Sequence, residues 1–233
     1  MSGTLYGVGL GPGAPDLMTL RAARLIEAAK VVAYPTLAGG ESFARAIAAD
    51  LISDDVREIV IDVPMTVERA PAQEAYDTGA AAIAAALDAG EDVVCLCEGD
   101  PFFYGSFMYL FARLSGKYQV EVVPGVTSVT ACAARAGMPL AARNERLTVL
   151  PGPLPEDELR ARIEGAESVV IMKVGRHMAK IRAVIDGLGL TDNAVYVERA
   201  TLPQEVVSPL ADAPEKAPYF SMILLTKGAD PWL

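Results

Sequence analysis

Thr4-Leu5-Tyr6-Gly7-Val8-Gly9-Leu10-Gly11-Pro12-Gly13-Ala14 reads as a buried strand, 4–10, that runs out into alternating glycines. A strand feeding a glycine-rich turn and then a helix is the opening unit of a parallel α/β sheet. The helix is expected over 17–29, where apolar residues recur at helical spacing and Asp16 is placed to cap it. Gly9, Gly11 and Ala14 fit the G-x-G-x-x-A of dinucleotide-binding turns. Two features oppose that use. Pro12 removes a backbone N–H from the segment that would cradle phosphates. The second strand ends in Tyr34-Pro35-Thr36, with no acid to hold ribose hydroxyls. The other reading of the glycines is a tight turn packed against its neighbours.

Outward from this unit the alternation continues. Strands are expected over 31–34, stopped by Pro35, and over 58–63, 92–97 and 119–123. The intervening helices fall at 42–51, 71–89 and 106–114, the second closed by Gly90. After a helix at 128–135 and Gly137, strands follow at 147–150, 168–172, 194–197 and 219–225. Helices are expected over 156–164 and 178–188, and 205–210 is a strand or an extended arm. The pattern implies an α/β fold of two α/β domains, 1–124 and 125–233, with a cleft between them.

The 233 residues can bury a core without staples, and a hydrophobic fraction of 52% excludes a disordered chain. The uncharged stretch 122–134 falls short of the ~20 residues of a spanning helix and contains Pro124 and Gly125, so no membrane segment is expected. The first basic residue is Arg21, which leaves no basic region before an apolar run and no visible signal peptide. Twenty Lys and Arg stand against thirty Asp and Glu, a net charge of −10 that argues against nucleic-acid binding. Cys95, Cys97 and Cys132 are an odd number without framework spacing, which places the chain in a reducing cytoplasm.

Four polar loops end predicted strands. Glu98-Gly99-Asp100-Pro101 follows a buried strand; Asp100 reads either as a helix N-cap before Pro101 or as a ligand contact. Pro124-Gly125-Val126-Thr127-Ser128, Met172-Lys173-Val174-Gly175 and Glu198-Arg199-Ala200-Thr201 are the others. Loops at the carboxyl ends of strands in both halves imply one ligand site. Cys95 and Cys97 share one face of a strand and read as core, and no metal site is expected. His177 is the sole histidine, which excludes a Ser-His-Asp triad.

In this order the markers resemble the tetrapyrrole methylase family. They are Gly9-Leu10-Gly11-Pro12-Gly13 with Leu17-Met18-Thr19-Leu20-Arg21-Ala22, then Gly99-Asp100-Pro101, Pro124-Gly125-Val126-Thr127-Ser128 and Glu198-Arg199-Ala200-Thr201. Val31 to Thr36, Val63-Pro64-Met65-Thr66 and Cys97 to Leu110 resemble the subfamily that methylates carbon 20 of precorrin-2 to give precorrin-3A. Alternatives are another tetrapyrrole position, cobalt-factor II or a protein acceptor, and outside this class a NAD-binding module.

The resemblance implies S-adenosyl-L-methionine (SAM) as methyl donor, a small-molecule tetrapyrrole substrate and a homodimer. It places SAM contacts at Pro12, Glu98, Gly99, Asp100, Phe103, Thr127, Ser128, Met172 and Ala200. The glycine loop near Pro12 would floor the tetrapyrrole trough. Pro35 stands where uroporphyrinogen methyltransferases carry an Asp, so loss of the substrate proton is open between Tyr34, Glu98 and water. Arg21, Arg24, Arg143, Arg146, Lys173, Arg176 and Arg199 are candidates for the substrate's carboxylates.

Overall fold

A computed structural model describes residues 1–37, 40–64 and 69–228; Met65 and Thr66, singled out above, lie outside the described residues. The chain divides into two compact units, Met1–Thr127 and Ser128–Leu233.

The first unit runs β1 (Thr4–Gly9), α1 (Leu20–Glu27), β2 (Val31–Leu37), α2 (Phe43–Ile47) and β3 (Arg57–Val63). It continues with α3 (Arg69–Asp88), β4 (Val93–Cys97), α4 (Phe107–Leu114) and β5 (Gln119–Val123). All five strands are parallel, in the order β3-β2-β4-β1-β5. On one face Val8, Leu10, Val32, Tyr34 and Leu96 pack with Ala22 and Ile26 of α1 and Ala44 and Ile47 of α2. On the other, Leu5, Ala33, Ile61, Cys95 and Cys97 pack with α3 and α4. Burial on both faces is why β4 reads Val-Val-Cys-Leu-Cys without alternation. It also settles Cys95 and Cys97 as core residues, unpaired and buried.

Three local expectations are corrected. The first helix begins at Leu20, three residues later than expected, and its cap is Thr19, whose Oγ1 accepts the Ala22 N–H at 3.2 Å. Asp16 lies inside a separate 3-10 turn, Pro15–Leu17, and cannot cap α1 from there. Pro35 does not stop β2, which pairs with β3 as far as Leu37. The β2–β4 ladder ends at Ala33, and the Pro35 carbonyl accepts the Ser42 hydroxyl at 2.8 Å. The missing Pro35 N–H therefore faces a side where no ladder bond is lost.

The second unit begins with α5 (Ser128–Ala136) and continues through β6 (Leu147–Pro151), α6 (Glu156–Glu164) and β7 (Ser168–Met172). After α7 (Met178–Gly187) come β8 (Ala194–Glu198), β9 (Val206–Pro209) and β10 (Ser221–Thr226). Its sheet has the order β6-β7-β10-β8-β9 and is antiparallel except for the β6–β7 pair. α6 and α7 cover one face through Ile163, Ile181 and Ile185 against Val169, Ile171, Tyr196 and Ile223. α5 packs against β8, β9 and β10. Among the described residues no helix is long and apolar enough to cross a membrane.

Candidate functional site

β1 and β4 are neighbours whose connections diverge. β1 leads through α1, on one face, to β2; β4 leads through α4, on the opposite face, to β5 on the far side of β1. Ligands of open parallel sheets bind beyond the carboxyl ends of strands at such a switch point. Here the two strand ends are joined by glycine backbone. The Gly11 N–H donates to the Gly99 carbonyl at 3.2 Å, and the Gly99 N–H to the Gly11 carbonyl at 2.7 Å.

A third strand end closes on these two. A Cβ on Gly9 would lie 2.6 Å from the Gly125 nitrogen and 2.7 Å from the Gly99 oxygen; one on Gly125 would lie 2.1 Å from that oxygen. The glycines thus serve close backbone packing, the second of the two readings above, and nine residues separate Gly9 from the Thr19 cap. Gly99 alone of this group has an open face: its φ is +63° and nothing lies within 4 Å of where a Cβ would sit.

Asp100 locks this arrangement. Its Oδ1 accepts the Phe102 N–H at 2.9 Å and its Oδ2 accepts the Gly125 N–H at 3.1 Å. The helix-cap reading of Asp100 is corrected, because α4 starts only at Phe107, after a turn in which Tyr104 takes φ +57°. Pro12, Glu98, Gly99, Asp100 and Phe103 thus fall in the two bridged loops, with Thr127 two residues after the clamped Gly125. Phe103 packs edge-on against Tyr104 with 5.3 Å between ring centroids. Glu98 is open to solvent yet crowded by protein, which raises its pKa, while an N–H from Ala44 on α2 acts the other way.

Tyr34, 6% exposed in the middle of β2, is already committed. Its hydroxyl donates to Glu58 on β3, whose carboxylate is held by Arg45 through Nε at 3.0 Å and Nη2 at 2.9 Å. Burial and then Glu58 raise the Tyr34 pKa, in keeping with a phenol that donates to Glu58. Tyr34→Phe is therefore expected to cost about 1 kcal/mol of stability, the worth of one hydrogen bond, and to leave the pH profile of turnover unchanged. A shifted profile in a steady-state assay would contradict this.

In the second unit, Met172 ends β7 and Ala200 follows β8. β10 pairs with both strands, Met222 opposite Met172 and Ser221 opposite Glu198, so these loops leave the same end of one sheet. Ser128 is the first residue of α5. Glu198, 9% exposed, accepts the Tyr196 hydroxyl at 2.8 Å and pairs with Arg199.

Of the basic candidates, Arg21 pairs with Glu121 and Arg146 with Glu167. Arg24 lies exposed in the last turn of α1, and Arg176 contacts His177 at 3.4 Å. Arg143, Lys173 and Arg199 have positive φ, between +47° and +56°. Neither the Glu58–Arg45 pair nor the Arg135–Glu205 pair that holds the 199–205 loop carries a local signal, because the partners lie 13 and 70 residues apart.

An open parallel sheet whose switch point is closed by glycine backbone, followed by a mixed α/β unit, defines a two-unit α/β protein. The chain belongs to the tetrapyrrole (corrin/porphyrin) methylases, whose family model matches residues 4–214. It is 42% identical to a precorrin-2 C(20)-methyltransferase of Sinorhizobium sp. over 232 residues, 96% of this chain and 95% of that protein. It is 36% identical to the cobalt-precorrin-2 C(20)-methyltransferase of Salmonella typhimurium over 233 residues, 97% of this chain and 98% of that one. Among solved structures, uroporphyrin-III C-methyltransferase of Thermus thermophilus in complex with S-adenyl homocysteine matches with a TM-score of 0.68 and 26% identity, covering 97% of this chain and 92% of that one.

Proposed function

We propose that this chain transfers a methyl group from SAM to carbon 20 of precorrin-2, giving precorrin-3A on the way to the corrin ring of cobalamin. The names of relatives at 42% and 36% identity along nearly the whole chain support the substrate and the position. Within the structure, the observation that carries the reading is the open face of Gly99 at the switch point, which leaves the main chain accessible to a ligand without an intervening side chain. SAM contacts are proposed at Pro12, Glu98, Gly99, Asp100 and Phe103, with Thr127, Ser128, Met172 and Ala200 as further contacts. A cytoplasmic homodimer is proposed with it. Three buried, unpaired cysteines support a reducing compartment.

Bound SAM supplies a methyl group made electrophilic by its sulfonium. The task left to this chain is orientation, because carbon 20 is already electron-rich and displacement needs sulfur, methyl and carbon nearly in line. Gly99 lets the ligand approach the main chain, Asp100 fixes the two loops that meet there, and the Phe103 ring excludes water on its side. With Tyr34 committed to Glu58, carbon 20 loses its proton to Glu98 or to water. The substrate is a polycarboxylate, which the exposed Arg24 and Arg176 suit.

The test uses SAM carrying carbon-13 in its methyl group, with precorrin-2 supplied with and without cobalt. One added methyl, located by NMR on the meso carbon between rings A and D, is the expected product. Label on a pyrrole-ring carbon would overturn the position and leave the family untouched.

A further inference from the structure

We infer that Glu205 is a positioning residue for the SAM site, holding the strained loop after β8 against α5. The inference rests on the proposed contacts at Ser128, the start of α5, and at Ala200 in that loop.

The loop is conformationally expensive. Arg199 has φ +47° and Thr201 φ +70°, left-handed values that side chains other than glycine rarely take. For Thr201, branched at Cβ, this is an outlier. Such strain persists only where the surroundings over-determine it, and it gathers at ligand sites. Here the constraints are visible. The Arg199 N–H donates to the Phe220 carbonyl of the neighbouring segment at 2.8 Å. The Leu202 N–H returns to the Arg199 carbonyl at 3.0 Å, and the Glu205 N–H to the Leu202 carbonyl at 3.0 Å.

A further constraint is the Glu205 side chain, only 14% exposed. Its Oε2 accepts the Thr201 N–H at 2.6 Å, directly at the strained residue. Both carboxylate oxygens also meet Arg135 on α5, Nε lying 2.8 Å from each, with Nη2 at 2.6 Å from Oε1. A single carboxylate therefore ties the residue after Ala200 to the helix that Ser128 opens, all within the second unit. Arg135 holds the Glu205 carboxyl below its usual range, so the clamp stays ionised well below neutral pH. Glu205 in turn, after burial, helps keep the neighbouring Cys132 protonated, with its pKa pushed up to about 12.

The experiment measures S-adenosylhomocysteine binding to the full chain by titration calorimetry, with KM and kcat alongside. Glu205→Ala is expected to weaken binding about tenfold or more, with a matching rise in the KM for SAM. Turnover at saturating SAM and the KM for the tetrapyrrole are expected to hold, a split that general loosening would not produce. Glu205→Gln keeps an acceptor for the Thr201 N–H and is expected to stay within about threefold of the native chain. Arg135→Met falls between the two. Wild-type affinity in Glu205→Ala overturns the inference. If that variant does not fold, a wild-type KM for SAM in Arg135→Met overturns it instead. A native chain that does not bind S-adenosylhomocysteine overturns the site itself, whereas native binding with indifferent variants overturns only the clamp.

Discussion

Alanine at position 125 is expected to abolish S-adenosylhomocysteine binding and to lower the melting temperature by several degrees. A Cβ there would lie 2.1 Å from the Gly99 oxygen and 2.9 Å from the Gly9 carbonyl carbon. All three groups are backbone, so no side-chain rotation relieves the overlap. Overpacking a core costs about 1–3 kcal/mol where side chains can adjust. Here strand ends must move, which places the cost near or above the upper figure. At roughly 2–4 °C per kcal/mol for a chain of this size, the melting temperature falls by about 6–12 °C. Binding suffers more than stability, because the three strand ends that separate are the floor of the proposed site.

Gly99→Ala separates the two effects. Nothing crowds a Cβ at Gly99, and the φ of +63° costs about 1–2 kcal/mol. The added methyl instead occupies the open face, so affinity should drop with only a modest loss of stability. Scanning calorimetry and binding titrations on both variants test the pair. A Gly125→Ala chain that melts with the native one would show that the three-glycine contact is not as tight as described.

The different origins of these glycines explain what the sequence could tell. Strand and helix periodicity is local, and it placed β5, α6 and β7 at their observed limits. The misjudged sites turn on a local turn that intervenes or on partners remote in the chain. Asp16 is a good capping residue in isolation, but the 3-10 turn at Pro15–Leu17 leaves Thr19 as the residue whose oxygen meets the Ala22 N–H in the first turn of α1. Pro35 ends a strand only if a neighbour needs its N–H, and the β2–β4 ladder has ended two residues earlier. Tyr34 finds its acceptor 24 residues away at Glu58, and Arg135 finds Glu205 across 70 residues. No periodicity announces such pairs. The ordered glycine-containing loops were legible for the opposite reason: close backbone approach admits almost no other residue, so the constraint is written into the composition of the loop.

Asp100 offers the second large effect. Its two oxygens serve two N–H groups on different segments, Phe102 in its own loop and Gly125 at the end of β5. Asp100→Ala removes both acceptors. The Phe102 N–H lies toward solvent and finds water, so its loss is small. The Gly125 N–H is partly buried, and leaving it unsatisfied costs about 1–3 kcal/mol. If SAM requires the two loops in this register, that cost appears in binding as roughly a 10- to 100-fold weaker affinity. Asp100→Asn retains a single acceptor oxygen, and its amide nitrogen turns a donor toward the other N–H, so its deficit should lie between those of the native chain and the alanine variant. The gradation is the informative part. A ligand contact through charge alone would make asparagine as poor as alanine. A clamp acting through hydrogen-bond acceptors makes asparagine intermediate. A folded Asp100→Ala chain with native affinity would mean that the loops keep their register without the carboxylate, and that the glycine contacts among Gly9, Gly99 and Gly125 suffice to build the site.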